Sequence, residues 1–351
     1  MPISAFEHPF LSGLAGDGEV SAFLGINAEI DAMLAFEIAL AKAEAAHGVI
    51  PADAAAAIEQ ALHDFRPDIA SLREGVARDG VVIPDFVRQL KDAVGKPHAA
   101  HIHYGATSQD VIDTALVLRL RPVIELFDKR IDGILTRLDS LSERFGTRRL
   151  MGRTRMQAAI PITVADRIEA WRAPVLRDRA RLDRAAYEVL VVQFGGAAGT
   201  LEKLGTRAAP VRATLAATLG LGEAEQWHSQ RDRVAAFADV LSLITGALGK
   251  IGQDVALLAQ DGGEIRLSGG GGSSAMPHKQ NPVQAEFLTT LARYNATQLS
   301  AIHHALVHEQ ERSGAAWTLE WLALPPMMQA TGAALMSVAK LLDAIAGLGT
   351  E

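Results

Sequence analysis

Four long stretches in which apolar residues recur at helical spacing constrain the fold of this 351-residue chain most strongly. Each stretch holds about 27 to 36 residues, or roughly 40 to 54 Å of helix at 1.5 Å per residue. Such lengths are typical of a bundle of long parallel and antiparallel helices. A fifth segment, 324–348, is expected to complete a five-helix set. The four stretches cover residues 110–145, 164–194, 234–260 and 282–312.

The part of the chain before Pro97 has shorter helical patterns, separated by proline and glycine. One helix is expected over 27–47, because Gly48 supplies a stop signal after it. We therefore predict an all-α fold in which a small N-terminal helical domain, residues 1–100, precedes a long-helix bundle, residues 101–351. The sequence shows no series of strands and no internal repeat. Three further short helices are expected over 53–63, 67–78 and 84–94.

Composition excludes several classes of function. The chain has no cysteine, which excludes a disulfide scaffold, a thiolate nucleophile and every cysteine-based metal site. Its net charge of −7 gives no global attraction for nucleic acid or an anionic membrane, so an anionic substrate would need a local positive site. The N-terminus does not resemble a secretory signal, and prolines interrupt the longest uncharged stretch, 321–339. We expect a cytoplasmic protein with no membrane and no nucleic-acid partner.

One long polar loop, 261–281, is unusually rich in glycine. Its four consecutive glycines, 269–272, permit large backbone excursions, so the loop is either a mobile lid or a flexible linker. Asn281 can be explained as the N-cap of the next helix, with a proline at the first helical position. The serines, histidine and lysine that precede Asn281 have no such local explanation. The lysine is not a P-loop lysine, because histidine rather than glycine comes before it.

Three segments resemble the signature regions of the fumarase/aspartase superfamily. The third region, 272–282, reads Gly-Ser-Ser-x-Met-Pro-x-Lys-x-Asn-Pro. The first region, 103–110, contains Gly-x-Thr-Ser-x-Asp, although Thr107 and Asp110 can also be read as a helix capping box. The second region, 151–161, resembles Gly-x-Thr-His-x-Gln-x-Ala-x-Pro. The three regions come in the order of the superfamily and at comparable spacing.

The second region departs from that pattern at one position. Where fumarases and the amino-acid lyases carry a histidine, this chain has Arg155. That histidine pairs with the glutamate that matches Glu286, so the expected pair here is arginine with glutamate, which cannot readily relay protons. In lacking this histidine, the chain resembles the branch of the superfamily formed by the 3-carboxy-cis,cis-muconate cycloisomerases. The segments 193–201 and 227–233 also resemble that branch.

The resemblance implies a reaction, an assembly and a domain content. The reaction is conversion of 3-carboxy-cis,cis-muconate to 4-carboxymuconolactone (γ-carboxymuconolactone) by intramolecular addition of a carboxylate to a C=C bond, as in protocatechuate degradation through the β-ketoadipate pathway. The superfamily implies no cofactor, no metal and a homotetramer whose active sites combine regions from three subunits. Because the chain ends just after the fifth segment, we expect it to lack the further helical domain common in the superfamily. The alternatives are a cycloisomerase for a sulfonated or otherwise substituted muconate, a fumarate-releasing lyase such as adenylosuccinate lyase, and an inactive helical scaffold.

The resemblance also assigns residues. Ser273 matches the catalytic serine that would donate a proton to carbon, and its alkoxide form would need stabilisation by loop N–H groups and a cation. Arg231 is a candidate clamp for a substrate carboxylate, or else forms a surface salt bridge with Asp232 or Asp239. His304 and His308 lie one turn apart but lack a third metal ligand at a recognised spacing, so they are expected to be solvated or core histidines. The catalytic set is Ser273, Lys279 and Glu286, and the substrate-binding set is His103, Thr107, Ser108, Arg155, Gln157, Arg231, Ser274, Met276 and Asn281.

Overall fold

The computed structural model describes residues 4–272, 275–276 and 280–351. Within these ranges the chain forms α-helices, two 3₁₀ turns and two short antiparallel pairs of strands. The all-α class is therefore confirmed. The helices are α1 (Ser12–Ala15), α2 (Gly18–Leu24), α3 (Ile26–Ala46), α4 (Ala52–Leu62), α5 (Ile69–Asp79), α6 (Ile83–Val94), α7 (Ser108–Phe145), α8 (Val164–Val189), α9 (Ala208–Leu219), α10 (Asp232–Asp261), α11 (Val283–His304) and α12 (Gly314–Asp343).

The four helices predicted before Pro97 correspond to α3 to α6, with ends that differ by one or two residues. Helix α5 illustrates why the ends fall where they do. The side chain of Asp68 accepts hydrogen bonds from the first free N–H groups, and Gly80 ends the helix in the left-handed conformation. Helix α3 packs along α7 and buries Phe36 and Leu40 completely or nearly so, which attaches the N-terminal helices to the bundle. The domain boundary at residue 100 stays a prediction.

Helix α7 begins as the sequence predicts, at a capping box of Thr107 and Asp110, and it is the longest helix in the described chain at 38 residues. It packs against α8 and α12, while α10 packs against α8, α11 and α12. The five long helices of the bundle are thus α7, α8, α10, α11 and α12. Fully buried residues such as Phe127 and Leu138 line the inner face of α7.

Four predicted helix ends and one predicted cap were wrong. Helix α8 ends at Val189 and α12 at Asp343, each five residues before the predicted end. The stretch 282–312 stops being helical at His304, since a turn and the N-cap Ser313 then start α12 at Gly314. Helix α12 begins ten residues before the predicted segment and runs through Pro325 and Pro326. The helix persists there because buried residues before and after the two prolines pack it into the bundle. Helix α11 has Pro282 rather than Asn281 at its N-cap position.

The two strand pairs were not predicted. Strands β1 (Arg149–Thr154) and β2 (Gln157–Thr163) form the first pair, which is a hairpin (the first hairpin below). Strands β3 (Ile265–Leu267) and β4 (Ile345–Leu348), which α11 and α12 separate in sequence, form the second pair, where the sequence predicted helix up to residue 348. The first hairpin turns through only two residues, Arg155 and Met156, both with positive φ (48° and 64°). That geometry normally selects glycine or asparagine, so the turn is strained.

Residues 232–260 of α10, and α12, are long and apolar enough to cross a membrane. However, 61% of the most apolar window of α10 and 72% of that of α12 are buried inside the bundle. Core helices of ordinary globular proteins have the same length and composition, so these two helices are weak evidence for membrane insertion.

Candidate active site

The first region is organised around the buried carboxylate of Asp110. Its oxygens accept hydrogen bonds from the backbone N–H of Gly195 and Gly196 (both 2.9 Å), from the N–H of Thr107 (3.0 Å) and from Nε2 of His228 (2.8 Å). The hydrogen-bonding capacity of this carboxylate is thus used inside the chain. Asp110 therefore fixes two distant loops against the start of α7.

The same two loops are the segments that resemble cycloisomerases. The backbone N–H of Gln193 donates to Oγ1 of Thr114 (3.0 Å), and the side-chain oxygen of Gln193 accepts from the N–H of Trp227 (2.9 Å). Gln109 donates from Nε2 to the carbonyl of His228 (2.8 Å) and accepts from Nε of Arg312 (2.9 Å). These bonds fix the backbone around Thr107 and Ser108.

Arg231 occupies a different environment from the one expected. Its side chain is 1% exposed, and it donates in bidentate fashion to Asp113 (2.6 and 3.2 Å) and to Glu320 (2.8 and 2.5 Å), with its guanidinium 4.8 Å from the centre of the Trp227 ring. The expected surface partners, Asp232 and Asp239, are not the ones it uses. A substrate carboxylate would have to displace one of two buried carboxylates to reach Arg231, and its role as a clamp stays a prediction.

His304 and His308 lie in different surroundings, unlike two histidines that bind one metal ion. His304 is the last residue of α11, whereas His308 lies beyond it with a 1% exposed side chain, and its Nε2 is 4.0 Å from Glu320. Burial, followed by the positive charge of Arg231, lowers the pKa of His308. Among the described residues no group of three or more potential ligands is placed to hold a metal ion.

The second region lies at the turn of the first hairpin. Glu264 anchors this hairpin, since it accepts from the N–H of Met151 (2.6 Å) and pairs with Arg153 (2.6 Å). Arg155 and Gln157 are both exposed. The strained turn thus presents Arg155 to the outside of the chain.

The third region starts close by, because strand β3 directly follows Glu264 and leads into the glycine loop. Gly271 and Asn281 exchange two backbone hydrogen bonds of 2.9 Å, which closes the base of this loop. Met276 is 42% exposed, and Glu286 lies exposed on the first turn of α11. The predicted residues Ser273, Ser274 and Lys279 lie outside the described residues.

The bundle separates these regions. The first region sits at the N-terminus of α7, whereas the second and third regions adjoin its C-terminus; the 38 residues between them span about 57 Å. One chain therefore brings the second and third regions together and keeps the first apart from both. Within the described chain, no ion pair joins Arg155 to Glu286.

Comparison with known proteins agrees with these motifs. Residues 19–294 match a protein family described as lyase. A 3-carboxy-cis,cis-muconate cycloisomerase of Pseudomonas aeruginosa is 41% identical over 324 residues, which cover 90% of this chain and 71% of that protein. The chain belongs to this lyase family. Its likeness to the fumarase/aspartase superfamily, inferred from three short motifs, is thereby confirmed.

Solved structures of related proteins have the same fold as this lyase. The crystal structure of 3-carboxy-cis,cis-muconate lactonizing enzyme from Pseudomonas putida matches with a TM-score of 0.90 and 36% identity, over 96% of this chain and 77% of that one. A relative of another kind, an N-acetyl-S-(2-succino)cysteine lyase of Enterococcus italicus, is 32% identical and covers 93% of this chain and 73% of that protein.

Several polar residues near the N-terminus of α7, at the end of the bundle that carries the first region (the first-region end), were not predicted from the sequence. Asp110 was read as part of the first signature motif or of a cap, and not as the residue that holds both loops. Glu37 and Glu44 are buried on α3, and the signal for them was available, since two carboxylates stand among apolar residues on a core helix. Arg312 binds Gln109 and the carbonyl of Ala197, and nothing in its local sequence indicated this.

Proposed function

We propose that this lyase is a cycloisomerase that converts 3-carboxy-cis,cis-muconate to 4-carboxymuconolactone. The observation that carries the proposal is its likeness, over nearly the whole chain, to proteins named for that activity. The arginine in place of the histidine of the second region also supports it.

The chemistry is an isomerisation. A carboxylate oxygen attacks one carbon of a conjugated double bond and forms the C–O bond of the lactone ring. The π electrons move toward the neighbouring carboxylate, giving an enediolate-like anion whose α carbon then takes a proton. Nothing is oxidised or reduced, and the charge that the attacking carboxylate loses appears on the enediolate. The protein must therefore stabilise this second negative charge on one carboxylate and deliver one proton.

The first turn of α7 is suited to part of this task. The N-terminus of a long helix attracts anions through its free N–H groups and its dipole. Thr107 and Ser108 lie there, half-buried, and the inward hydrogen bonds of Asp110 hold their backbone. We assign these two residues to one substrate carboxylate.

Delivery of the proton and stabilisation of the remaining negative charge of the substrate are assigned to the second and third regions. Ser273 is the proposed proton donor, with Lys279 and Asn281 holding the enediolate oxygens. Arg155 and Gln157, exposed on the first hairpin, and Ser274 and Met276 complete the proposed substrate contacts. Glu286 is proposed to act beside Arg155.

Separation of the regions supports a shared site. Because about 57 Å of helix lies between the first region and the other two, a complete set requires further copies of the chain. We propose a homotetramer in which each active site combines regions from three subunits, working in the cytoplasm in aromatic catabolism. An active monomer in size-exclusion chromatography would contradict this assembly.

The test of the reaction is loss of diene absorbance after 3-carboxy-cis,cis-muconate is added to the purified protein. A sulfonated muconate and a fumarate adduct, with fumarate release as the readout, are assayed beside it. We expect turnover to be fastest with the carboxy substrate; preference for either rival would refute the proposal.

Ser273→Ala tests the proton donor. We expect kcat to fall by about 100-fold or more, the usual scale for loss of a positioned proton donor. Ser268→Ala is the matched control, since Ser268 lies in the same loop and, among the described residues, hydrogen-bonds only to the carbonyl of Ala344. Full turnover by Ser273→Ala would remove the serine assignment.

A further inference from the structure

Two carboxyl groups are buried on the face of α3 that lies behind the first region. Glu37 is 1% exposed and Glu44 is 0% exposed. Among the described residues, Oε2 of Glu37 and both carboxyl oxygens of Glu44 have no hydrogen-bond partner. Carboxyl groups in such surroundings are costly unless one is neutral or paired, so their presence requires an explanation.

Glu37 has one partner, and that partner is His103. Oε1 of Glu37 lies 2.6 Å from Nδ1 of the ring. The backbone of His103 is in the left-handed region (φ 59°), which histidine rarely adopts, and this conformation turns the ring toward α3. The ring keeps 15% of its surface exposed, and Nε2 has no hydrogen bond within the described part of the chain. One edge of the ring is therefore held from inside while the other stays accessible.

The titratable groups around the Glu37–His103 pair come from three helices. Glu37 and its neighbour Glu44 lie on α3, Lys91 on α6 and Asp110 on α7. Burial lowers the pKa of His103, but the Glu37 carboxylate, helped by Asp110, outweighs burial and Lys91, so the net pKa is raised. Burial, with the nearby charge of Glu37, raises the pKa of Glu44 to about 9. At neutral pH Glu44 is thus protonated and Glu37 is the counter-charge of the ring.

His103 lies near the proposed anion site, since it precedes Thr107 by four residues and the charge of Asp110, in the first turn of α7, acts on its ring. We propose that Glu37 is a positioning residue of the lyase, which holds His103 as an imidazolium whose free Nε2–H binds a carboxylate of the substrate beside the first turn of α7. This inference rests on the proposed function for the identity of the substrate. The pairing of Glu37 with His103 does not depend on it.

The first test is an NMR titration of His103 in the ligand-free protein. Glu37→Gln should lower the pKa of His103 by about one unit or more, because a carboxylate at this distance is typically worth 1 to 3 units. Glu44→Gln is the matched control on the same helix, because it replaces a carboxyl that is already neutral. An unchanged His103 titration in Glu37→Gln, or an equal fall in Glu44→Gln, overturns the assignment to Glu37.

The second test uses turnover of 3-carboxy-cis,cis-muconate. At pH 7.5 we expect Glu37→Gln to raise KM about tenfold with kcat changed less than about threefold, as for loss of one charge-assisted hydrogen bond. Lowering the pH toward 5.5 should return much of the lost affinity, because the ring regains its proton. A purely structural role would give a loss that does not respond to pH, and that result overturns the proposal.

His103→Gln keeps the proposal testable if Glu37→Gln does not fold. It should raise KM to a similar extent at pH 7.5 and show no recovery at low pH, since it has no ring to protonate. A wild-type KM in His103→Gln refutes the proposal. Absence of muconate turnover in the wild-type protein refutes the proposed function instead, while the NMR titration still tests the pair.

Discussion

Replacement of Glu44 by glutamine should change how stability depends on pH. The buried carboxyl of Glu44 has its pKa raised from 4.5 to about 9, first by burial and then by the charge of Glu37. Between these values the folded chain retains a proton that the unfolded chain releases. The contribution of Glu44 to the free energy of unfolding is therefore fully present below pH 4.5 and is lost as the pH rises toward 9.

The size of the effect follows from the two pKa values. Across this range, stability falls by about 1.4 kcal/mol per pH unit for one proton. From pH 5.5 to pH 8.0 the contribution of Glu44 falls by about 3 kcal/mol, allowing for partial titration at both ends. Glu44 is fully buried, so solvent screening does not reduce this figure. His103 contributes with the same sign, but it is present in both proteins and cancels from their comparison.

Urea unfolding of wild-type and Glu44→Gln protein at both pH values, at one protein concentration, measures the effect. The variant should gain about 3 kcal/mol relative to wild type between pH 5.5 and pH 8.0, whatever constant cost the amide adds. Glu59→Gln, which alters an exposed carboxylate on α4 paired with Lys42, should keep the wild-type pH dependence. Equal pH dependence in wild type and Glu44→Gln would refute the reasoning.

Two further changes test the hairpin anchor and the bundle core. Glu264→Ala removes the anchor of the first hairpin; we expect about 1 to 2 kcal/mol lower stability in urea unfolding and, if the hairpin serves the active site, a KM about tenfold higher. An unchanged KM would show that the hairpin position does not matter for binding. Gly332→Ala should cost about 1 to 3 kcal/mol, because the new methyl group would overlap the buried carboxylate of Asp17. Gly246→Ala, in open space on α10, should instead gain about 0.5 to 1 kcal/mol, and equal effects of the two changes would contradict the packing described.

The long helices could be predicted because their signal is local. Apolar periodicity and caps such as Thr107 with Asp110 lie within a few residues of each other, and α7 starts where they indicate. The first hairpin gave no such signal, since its two-residue turn uses arginine and methionine where glycine or asparagine would have marked it. Helix α12 was missed in part because prolines normally end helices, and only tertiary packing keeps this one intact.

The surroundings of the predicted site residues are set by contacts across the sequence. Arg231 binds Asp113, 118 positions earlier, and Glu320, 89 positions later. No motif near Arg231 identifies those partners, so an arginine in a family-like segment was read as free to bind substrate. The same holds for His103, whose partner Glu37 lies 66 positions away.

These contacts bear on how a chain of net charge −7 can bind a trianion. Arg231 is paired with two carboxylates, so it offers no free positive charge in a single subunit. At the first-region end the positive groups include the α7 N-terminus, His103 held by Glu37, Lys91 near the same ring, and Arg312, which in the described chain hydrogen-bonds only neutral groups. The three carboxylates of the substrate, one of which becomes the enediolate, need more positive charge than these groups supply. Arg155 lies at the opposite end of the bundle, so electrostatics as well as the distribution of motifs supports the proposal that each site combines regions from several subunits.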